Sequence, residues 1–427
     1  MPDTPVPPTS CAPKISFQAL FAVFARIGLL SFGGPAAQIG LMHKELVEDR
    51  SLLSEQEFLR ALSLCMLLPG PEAMQLATYA GWRLRGVSGG LVAGLLFVLP
   101  GAVVILALAL IYAKYGNVPL VQGAFEGIKA AVIIIVLQAL MKLSNKALGT
   151  STAWMLAGGS FAALFLFNVP YPLIIAAAGM WGAVAMVQSD VEPPASVPNS
   201  RPSALPIIAL WGTLWAAPIV VLLFLDHAFL LQVSLFFSKL AVVTFGGAYA
   251  VLAYMTQTVV SDYGWITTAQ MIDALGLAET TPGPLILVTQ FVAMLAGFAQ
   301  GGMPTAVVAG AVALWVTFVP CFLWIFLAAP YLDAISGRPR IAAALAGITA
   351  AVVGVILNLA LWFGIHVLFA SVGTWPHFAA PAPVLASLNL GAVTLTCLAA
   401  VLLLSFKRGI AETLGVMAVV GVCLSLL

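Results

Sequence analysis

The residues most able to do chemistry are carboxylates that stand beside Gly/Pro breaks in apolar sequence. A Pro-Gly-Pro triplet at 69–71 is followed at once by Glu72, and a second triplet at 282–284 is preceded by Glu279. Proline removes an amide donor and disfavours helix for the residue before it, so each triplet ends one helix and starts another. A helix N-terminus presents free amides and a partial positive charge, which favours an anion.

A cation precedes a Gly-Gly pair in each half of the chain. Arg26 precedes the pair at 33–34, and Lys239 precedes the pair at 246–247. Two such cations fit the binding of an anion. The alternatives are an ion pair with a carboxylate, or a side chain that extends along apolar surface to reach water.

The candidate site residues follow from these breaks. Glu72 and Glu279 are candidates for carrying a proton, although Glu72 can equally be a helix cap or a counter-ion for Arg26. The candidate substrate-binding residues are Arg26, Ser31, Gly33, Gly34, Pro35, Gln38, Pro69, Gly70, Pro71, Gln75, Lys239, Gly246, Gly247, Pro282, Gly283 and Pro284.

The elements that position these residues are membrane helices. Of the 427 residues, 62% are hydrophobic and 8% are charged, and the mean hydropathy is +1.08. A soluble domain carries about 25% charged residues, so a soluble globule, a disordered chain and a collagen-like fibre are excluded. The apolar runs are continuous rather than alternating, which argues against a membrane β-barrel. A net charge of +1 gives no case for nucleic acid.

We predict an all-α polytopic fold with about thirteen transmembrane helices. A helix needs about 20 apolar residues to cross the bilayer. The predicted spans are 17–42, 58–82, 87–113, 121–141, 152–168, 171–188, 205–225, 229–257, 270–297, 304–329, 341–369, 385–405 and 409–427.

The distribution of Lys and Arg predicts the orientation. With a cytoplasmic N-terminus the thirteen spans place ten cationic residues in cytoplasmic loops and four outside, which the positive-inside rule favours. The C-terminus is then outside. In the alternative topology, residues 58–82 form a re-entrant hairpin instead of a span.

The chain divides into two repeats. We predict a disordered tail at 1–16, a first repeat at 17–188, a Pro/Ser-rich linker at 189–204, and a second repeat with C-terminal helices at 205–427. SFGGP at 31 matches TFGGA at 244, and Pro69 matches Pro282; both offsets are 213. Ser54 matches Thr267 as a helix-capping position. Seven predicted spans separate the copies, an odd number, so the repeats have inverted topology, an architecture of secondary transporters.

Motifs of enzymes and motors are absent from the sequence. It contains no GxxxxGK[ST], HExxH or GxSxG, and its five cysteines and four histidines show no zinc spacing. We therefore predict no enzyme activity, no cofactor and no metal.

The same segments resemble the chromate ion transporter family, in its long two-domain form. The resemblance is carried by FARIGLLSFGGPAAQIGLM, LSEQEFLRALSLCMLLPGPEAMQLATYAGWRLRG and AETTPGPLILVTQFV, and covers about 17–190 and 230–405. It implies a role for the matching motif residues: Arg26, Gly33, Gly34, Pro35, Pro69, Gly70, Pro71, Glu72, Gln75, Glu279, Pro282, Gly283 and Pro284.

The resemblance implies a multi-pass secondary transporter of the bacterial inner membrane. It would export chromate, confer chromate resistance, and be driven by the proton gradient or the membrane potential. Its partners would be chromate, sulfate as a competitor, the lipid bilayer and a second copy in a homodimer. The alternatives are a transporter of sulfate or another oxyanion and, from a different class, a membrane-embedded reductase or other enzyme.

Overall fold

The structure is a computed structural model. It describes residues 15–116, 118–186, 204–245, 248–332, 339–375, 378 and 380–426. The predicted tail and linker lie almost wholly outside these residues.

The described residues form fifteen α-helices and one small β-hairpin, which confirms the all-α class. The helices are α1 Phe17–Leu30, α2 Gly34–His43, α3 Glu55–Leu67, α4 Glu72–Tyr115, α5 Pro119–Ala147, α6 Ser151–Phe167, α7 Tyr171–Ala185, α8 Ala204–Phe224, α9 Ala228–Val243, α10 Ala248–Thr256, α11 Thr268–Thr280, α12 Val288–Ala328, α13 Pro339–Leu368, α14 Leu390–Ala400 and α15 Ile410–Ser425. Strands β1 Val372–Thr374 and β2 Pro381–Pro383 pair antiparallel.

Five helical segments are long and apolar enough to cross a membrane. They are Glu72–Tyr115, Pro119–Ala147, Ala204–Phe224, Leu285–Tyr331 and Pro339–Leu368, and six shorter apolar helices accompany them. Many large apolar side chains face outward, among them Phe224, Leu205 and Val184. Water would not tolerate so much exposed apolar surface, so the chain is a polytopic membrane protein.

Two of these segments fold back on themselves. In α4, Arg85 and Gly86 leave the helical conformation, and Gly86 has a φ of +66°. The residues on either side pack together so closely that a Cβ on Gly81 would lie 2.3 Å from the Gly89 carbonyl oxygen. The chain therefore reverses between a short arm (residues 72–84) and a long arm (residues 87–115).

The second repeat contains the same reversal. Helix α12 turns at Gly301 and Gly302, where Gly302 has a φ of +68°. A Cβ on Gly297 would lie 2.7 Å from the Thr305 carbonyl oxygen, so the short arm (residues 288–300) packs against the start of the long arm (residues 303–328).

Helix α3 and the short arm of α4 form a hairpin. Glu57 in the first turn of α3 forms an ion pair with Arg83 at the end of the short arm, which requires antiparallel arms with Pro-Gly-Pro at the tip. Each arm has 13 residues, about 20 Å, which is too short to cross about 30 Å of hydrocarbon. The capping prediction at the base is confirmed, because Ser54 and Thr267 each accept a backbone amide.

Three more hairpins follow the same plan. We name hairpin A (residues 17–48), hairpin B (55–84), hairpin C (228–262) and hairpin D (268–300). In hairpin A, Arg26 Nε lies 2.9 Å from Glu45 Oε1, although a straight path between them would measure about 28 Å. In hairpin C, the ring of Phe236 lies 6.0 Å from that of Tyr254 across the break.

The hairpins change the predicted topology. Segments 17–42, 58–82, 229–257 and 270–297 were each predicted to cross once, with a re-entrant hairpin as the alternative for 58–82. The structure has the hairpin in that segment and at the other three breaks, so the count of thirteen is not confirmed. The physical reason is that each Gly/Pro break reverses the chain rather than bending it.

The long arms place the hairpins of the two repeats at opposite ends. The long arm of α4 starts at the base of hairpin B and ends at the base of hairpin D, where Tyr112 Oη lies 2.5 Å from Asp273 Oδ2. The long arm of α12 runs back, and Ala329 just beyond it lines a cavity with Arg83 of hairpin B. The tips meet between the ends, because Pro282 packs on Gly101, midway along the long arm of α4.

Candidate functional site

The breaks of the two repeats are joined by crossed backbone hydrogen bonds. The amide of Gly70, in the tip of hairpin B, donates to the carbonyl oxygen of Thr244 in hairpin C at 2.8 Å. The amide of Gly283, in the tip of hairpin D, donates to the carbonyl oxygen of Ser31 in hairpin A at 2.8 Å. Each repeat therefore holds the break of the other one. This crossing is the structural centre of the candidate site.

Ser31 takes part through its backbone. Its hydroxyl donates to the Ile27 carbonyl of its own helix at 2.5 Å, and Thr244 donates to Leu240 at the same distance. These bonds satisfy carbonyls at the ends of α1 and α9, which a broken helix leaves without partners. The predicted substrate contact by the Ser31 hydroxyl is therefore not what this structure has.

Helices that start at the tips have no side-chain cap. Gly33 and Gly34 adopt left-handed φ values of +85° and +77°, after which α2 starts with Pro35 in its first turn and no capping side chain. Helix α4 likewise starts after Pro71 without a cap. The first amides of both helices can therefore donate to a ligand.

Gln38 ties α2 to the tip of hairpin D. It is buried, and its Nε2 donates to the Gly283 carbonyl oxygen at 2.7 Å. Its Oε1 has no hydrogen-bond partner among the described residues. Gly283 thus uses both backbone groups at the crossing, which fixes this tip against hairpin A. Pro282 and Pro284 flank it, and Pro284 leads into a one-turn 3₁₀ helix at Leu285–Leu287.

The tip of hairpin B is closed by Gln75 and Cys321. Gln75 Nε2 donates to the Pro69 carbonyl oxygen at 2.7 Å. Gly70 has a φ of +121°, and a Cβ there would lie 2.8 Å from Gln75 Nε2 and 2.9 Å from Cys321 Sγ. The sequence analysis missed Cys321, although it follows Pro320, which aligns with Pro100; Gly101 mirrors this contact at Pro282.

Glu279 is buried near the other tip with one oxygen unpaired. Its Oε1 accepts from Tyr249 Oη at 2.9 Å, and its Oε2 has no hydrogen-bond partner among the described residues. The Tyr249 hydroxyl also lies 3.7 Å from where a Cβ on Gly34 would be. A tyrosine–carboxyl pair therefore stands beside the uncapped start of α2. Tyr249 was missed as a partner because no local pattern joins it to Glu279.

Glu72 lies on the other hairpin. It is the first residue of α4, directly after Pro71. It is partly exposed, and no ion pair joins it to Arg26 in the described structure. The two carboxyl groups therefore belong to different tips, Glu72 to hairpin B and Glu279 to hairpin D.

The two predicted cations lie away from the tips. The Arg26 side chain is 59% exposed and forms an ion pair with Glu45, which is buried and also lies 3.2 Å from Arg50. The Lys239 side chain is exposed, with its Nζ 5.7 Å from the centre of the Tyr254 ring. The ion-pair alternative for Arg26 is thus what the structure has. Gly246 and Gly247 lie outside the described residues.

The arrangement suits non-covalent binding. Uncapped helix starts and buried carboxamides offer hydrogen bonds at the crossing, and the described residues contain no group of three His, Cys, Asp or Glu that could hold a metal. Non-helical backbone inside a membrane is tolerated where protein or a water-filled cavity satisfies it, and the crossed bonds do so here.

Sequence comparisons relate both halves of the chain to one family. A family model described as "Chromate transporter" matches residues 18–183 and 231–425. A probable chromate transport protein of Synechococcus elongatus is 33% identical over 82% of this chain and 86% of its own length. A chromate transport protein of Cupriavidus metallidurans is 32% identical over 81% of this chain and 82% of its own.

A shorter relative has the length of one repeat. A Bacillus subtilis protein named as an uncharacterized transporter is 29% identical over 170 residues, which is 96% of its length and 39% of this chain. A protein of this size is what a single copy of the repeat would be. No solved structure matches the chain.

Proposed function

The chain belongs to the chromate transporter family, and we propose that it exports chromate across the bacterial inner membrane as a secondary transporter. The observation that carries this proposal is the crossing of four helix breaks between the two halves. Discontinuous helices at a repeat interface are where secondary transporters bind substrate.

The hairpins sharpen the orientation. If hairpins A to D re-enter the membrane, thirteen cationic residues lie on the side of the N-terminus and only Lys114 lies on the other. The thirteen are Lys14, Lys44, Arg50, Arg60, Arg83, Arg85, Lys142, Lys146, Arg201, Arg338, Arg340, Lys407 and Arg408. This asymmetry favours a cytoplasmic N-terminus and an outside C-terminus.

The repeats would have inverted topology in the membrane. With re-entrant hairpins the helices between the repeats are the long arm of α4, α5, α6, α7 and α8, an odd number of crossings. Hairpins A and B would then open to the cytoplasm, and hairpins C and D to the outside. Two such halves supply two states of similar energy, each open to one side.

Chromate would bind at the crossing of the tips. It is a tetrahedral dianion, and the free amides at the starts of α2 and α4 can replace part of its hydration. Gln38 and Gln75 can turn their amide donors to it. No cation lies at the tips among the described residues, so binding there would rest on dipoles, and the interior-negative potential would favour export by about 2.3 kcal/mol per charge per 100 mV.

Glu279 and Glu72 would couple transport to protons. A buried carboxyl group with an unpaired oxygen can gain a proton in one state and lose it in another. Glu279 fits this role through its contact with Tyr249, next to α2. Glu72 would act at the other tip.

Transport in everted membrane vesicles tests the proposal. Vesicles from cells that express the chain should accumulate labelled chromate above vesicles that lack it, and equal accumulation would refute export. Arg26→Ala and Glu72→Ala should each reduce transport without loss of expressed protein; a variant that transports normally is not part of the mechanism.

Sulfate is the second candidate substrate. It has the tetrahedral shape and double charge of chromate, and hydrogen bonds from amides do not separate the two. Unlabelled sulfate at equal concentration should lower chromate uptake by less than half if chromate is preferred. A larger reduction would identify a sulfate transporter that accepts chromate.

A further inference from the structure

A buried carboxylate at the base of hairpin D joins three elements. Asp273 of α11 accepts a hydrogen bond from Tyr112 Oη on the long arm of α4 at 2.5 Å, and its other oxygen lies 2.8 Å from Lys129 Nζ on α5. The side chains of Asp273 and Lys129 are 9% and 20% exposed. Removing one partner of such a pair leaves the other charged and shielded from water, which is strongly destabilising.

This cluster is not part of the repeated fold. Asp273 aligns with Arg60 at the offset of 213, and Tyr112 aligns with Ala328 at the offset of 216 that follows the turn in α4. Lys129 precedes Ala-Ala-Val at 130–132, which matches 350–352, and therefore aligns with Thr349. The Thr349 hydroxyl donates to the Leu345 carbonyl of its own helix. The carboxylate, ammonium and phenol thus occur together at one end of the molecule only.

A polar cleft reaches the cluster from this end. It has a volume of about 720 Å³ and includes Lys129, Glu126, Thr268, His366 and Asn389 in its wall. Lys129 lines the cleft and also holds Asp273, so it stands between the cleft and hairpin D. Six residues separate Asp273 from Glu279, about 9 Å along α11, and the tip follows directly.

We propose that Asp273, Lys129 and Tyr112 form a latch that closes the outward end of the transport path. While the latch is closed, hairpin D is tied to α5 and to the long arm of α4. Release of the anion to the outside requires hairpin D to separate from α5, which extends the cleft to the tips. This inference rests on the proposed transport function and names the residues that would gate it.

A reversible cross-link next to the latch tests whether hairpin D must move. A Cβ on Gly276 would lie 3.9 Å from Ile128 Cβ, within the range of about 3.5–4.5 Å for a disulfide. Ile128→Cys also removes the Ile128 methyl that a Cβ on Gly276 would meet at 2.8 Å. The exposed Cys397 and Cys423 are changed to Ser in this background.

The Gly276→Cys/Ile128→Cys protein should lose at least nine-tenths of its chromate uptake when oxidised and regain it with reductant. Each single-cysteine variant should not respond to oxidation. Equal uptake by the oxidised and reduced double variant would overturn the latch, because transport would then proceed with hairpin D fixed to α5.

A labelling measurement tests the latch without transport. Ala278→Cys, in α11 near the tip, reports access from outside to a membrane-impermeant maleimide. Lys129→Met should speed this labelling at least fivefold, and Tyr112→Phe should speed it less. The matched control is Lys114→Met, which removes a cation from the same end outside the latch. Unchanged labelling in Lys129→Met would refute the latch, whereas a native protein without chromate uptake would refute only the transport function.

Discussion

The amide of Gly70 donates to the carbonyl oxygen of Thr244 across 2.8 Å, and the repeat-related amide of Gly283 donates to Ser31 across the same distance. Both pairs are related by the offset of 213 residues, with donor and acceptor exchanged between the halves. The two repeats are therefore interlocked through backbone groups, which side-chain substitution cannot remove. A motion of one half against the other must keep or exchange these two bonds.

Substitution of the tip glycines should stop transport. Gly70→Ala would place a methyl group 2.8 Å from Gln75 Nε2 at a φ of +121°, and Gly283→Ala would strain a φ of +86°. Each strain costs on the order of 1–3 kcal/mol. We expect chromate uptake to fall at least tenfold, with a lower melting temperature in detergent. The matched control is Gly212→Ala, which has open space at the Cβ position; a similar loss there would attribute the effect to expression rather than to the tips.

The Gln38 side chain should matter through its bond to Gly283. Gln38→Leu keeps the volume but removes the donor, which leaves the Gly283 carbonyl oxygen unpaired at a cost of about 1–3 kcal/mol. We expect a lower maximal rate of chromate uptake. Gln18→Leu changes the same residue type on an exposed face of hairpin A and should transport normally. Full activity in Gln38→Leu would show that the crossing does not depend on this bond.

Glu279→Gln should separate proton coupling from transport driven by the membrane potential. The amide keeps a hydrogen bond with Tyr249 but cannot exchange a proton. In everted vesicles, uptake of chromate by the variant should stop responding to an imposed pH gradient and should still respond to an imposed potential. Tyr249→Phe should weaken the response to pH in the same direction. A variant that responds to the pH gradient like the native protein would remove Glu279 from coupling.

The loop between hairpins A and B distinguishes the two topologies. If the hairpins re-enter the membrane, a cysteine at the exposed Ser51 lies on the cytoplasmic side. If 17–42 and 58–82 divide into one crossing and one re-entrant segment, or both cross, the same cysteine lies outside. We expect Ser51→Cys to react with an impermeant maleimide in everted vesicles and not in intact cells. The reverse pattern would contradict hairpin A.

His43 should make the stability of the cytoplasmic base depend on pH. Its Nε2 lies 2.7 Å from Glu55 Oε2 and its Nδ1 lies 3.1 Å from Glu48 Oε1. The hydrogen bond with Glu55, and then the charges of Glu55 and Glu48, raise the pKa of His43 above its ordinary 6.5. A raised pKa in the folded state means that the stabilisation is complete below about pH 6.5 and is lost as the pH rises through the folded pKa.

Melting temperatures measured in detergent across this pH range check the prediction. The native protein should lose melting temperature as the pH rises through the folded pKa, and His43→Gln should show a flatter profile. His227→Gln, which changes a histidine without an ion pair in the described structure, serves as the control. Parallel profiles for native protein and His43→Gln would exclude a contribution from this ion pair.

Local sequence determined the class of the protein and where its helices break. Continuous apolar runs require lipid as the solvent, and the Pro-Gly-Pro triplets stop helices wherever they occur, because proline lacks an amide and crowds the residue before it. The caps at Ser54 and Thr267 and the offset of 213 residues also follow from residue types at fixed spacing. These features depend on a few neighbouring residues.

Tertiary structure decided the direction of the chain after each break and the partner of each polar group. A break at Gly33 permits either a continued path or a reversal, and packing against the other repeat selects the reversal. The bond of Gly70 to Thr244, the pair of Tyr249 with Glu279, and the ion pair of Arg26 with Glu45 join residues whose partners no local periodicity encodes. In an apolar solvent each exposed polar group must find a partner inside the protein, and only the packed fold specifies which one.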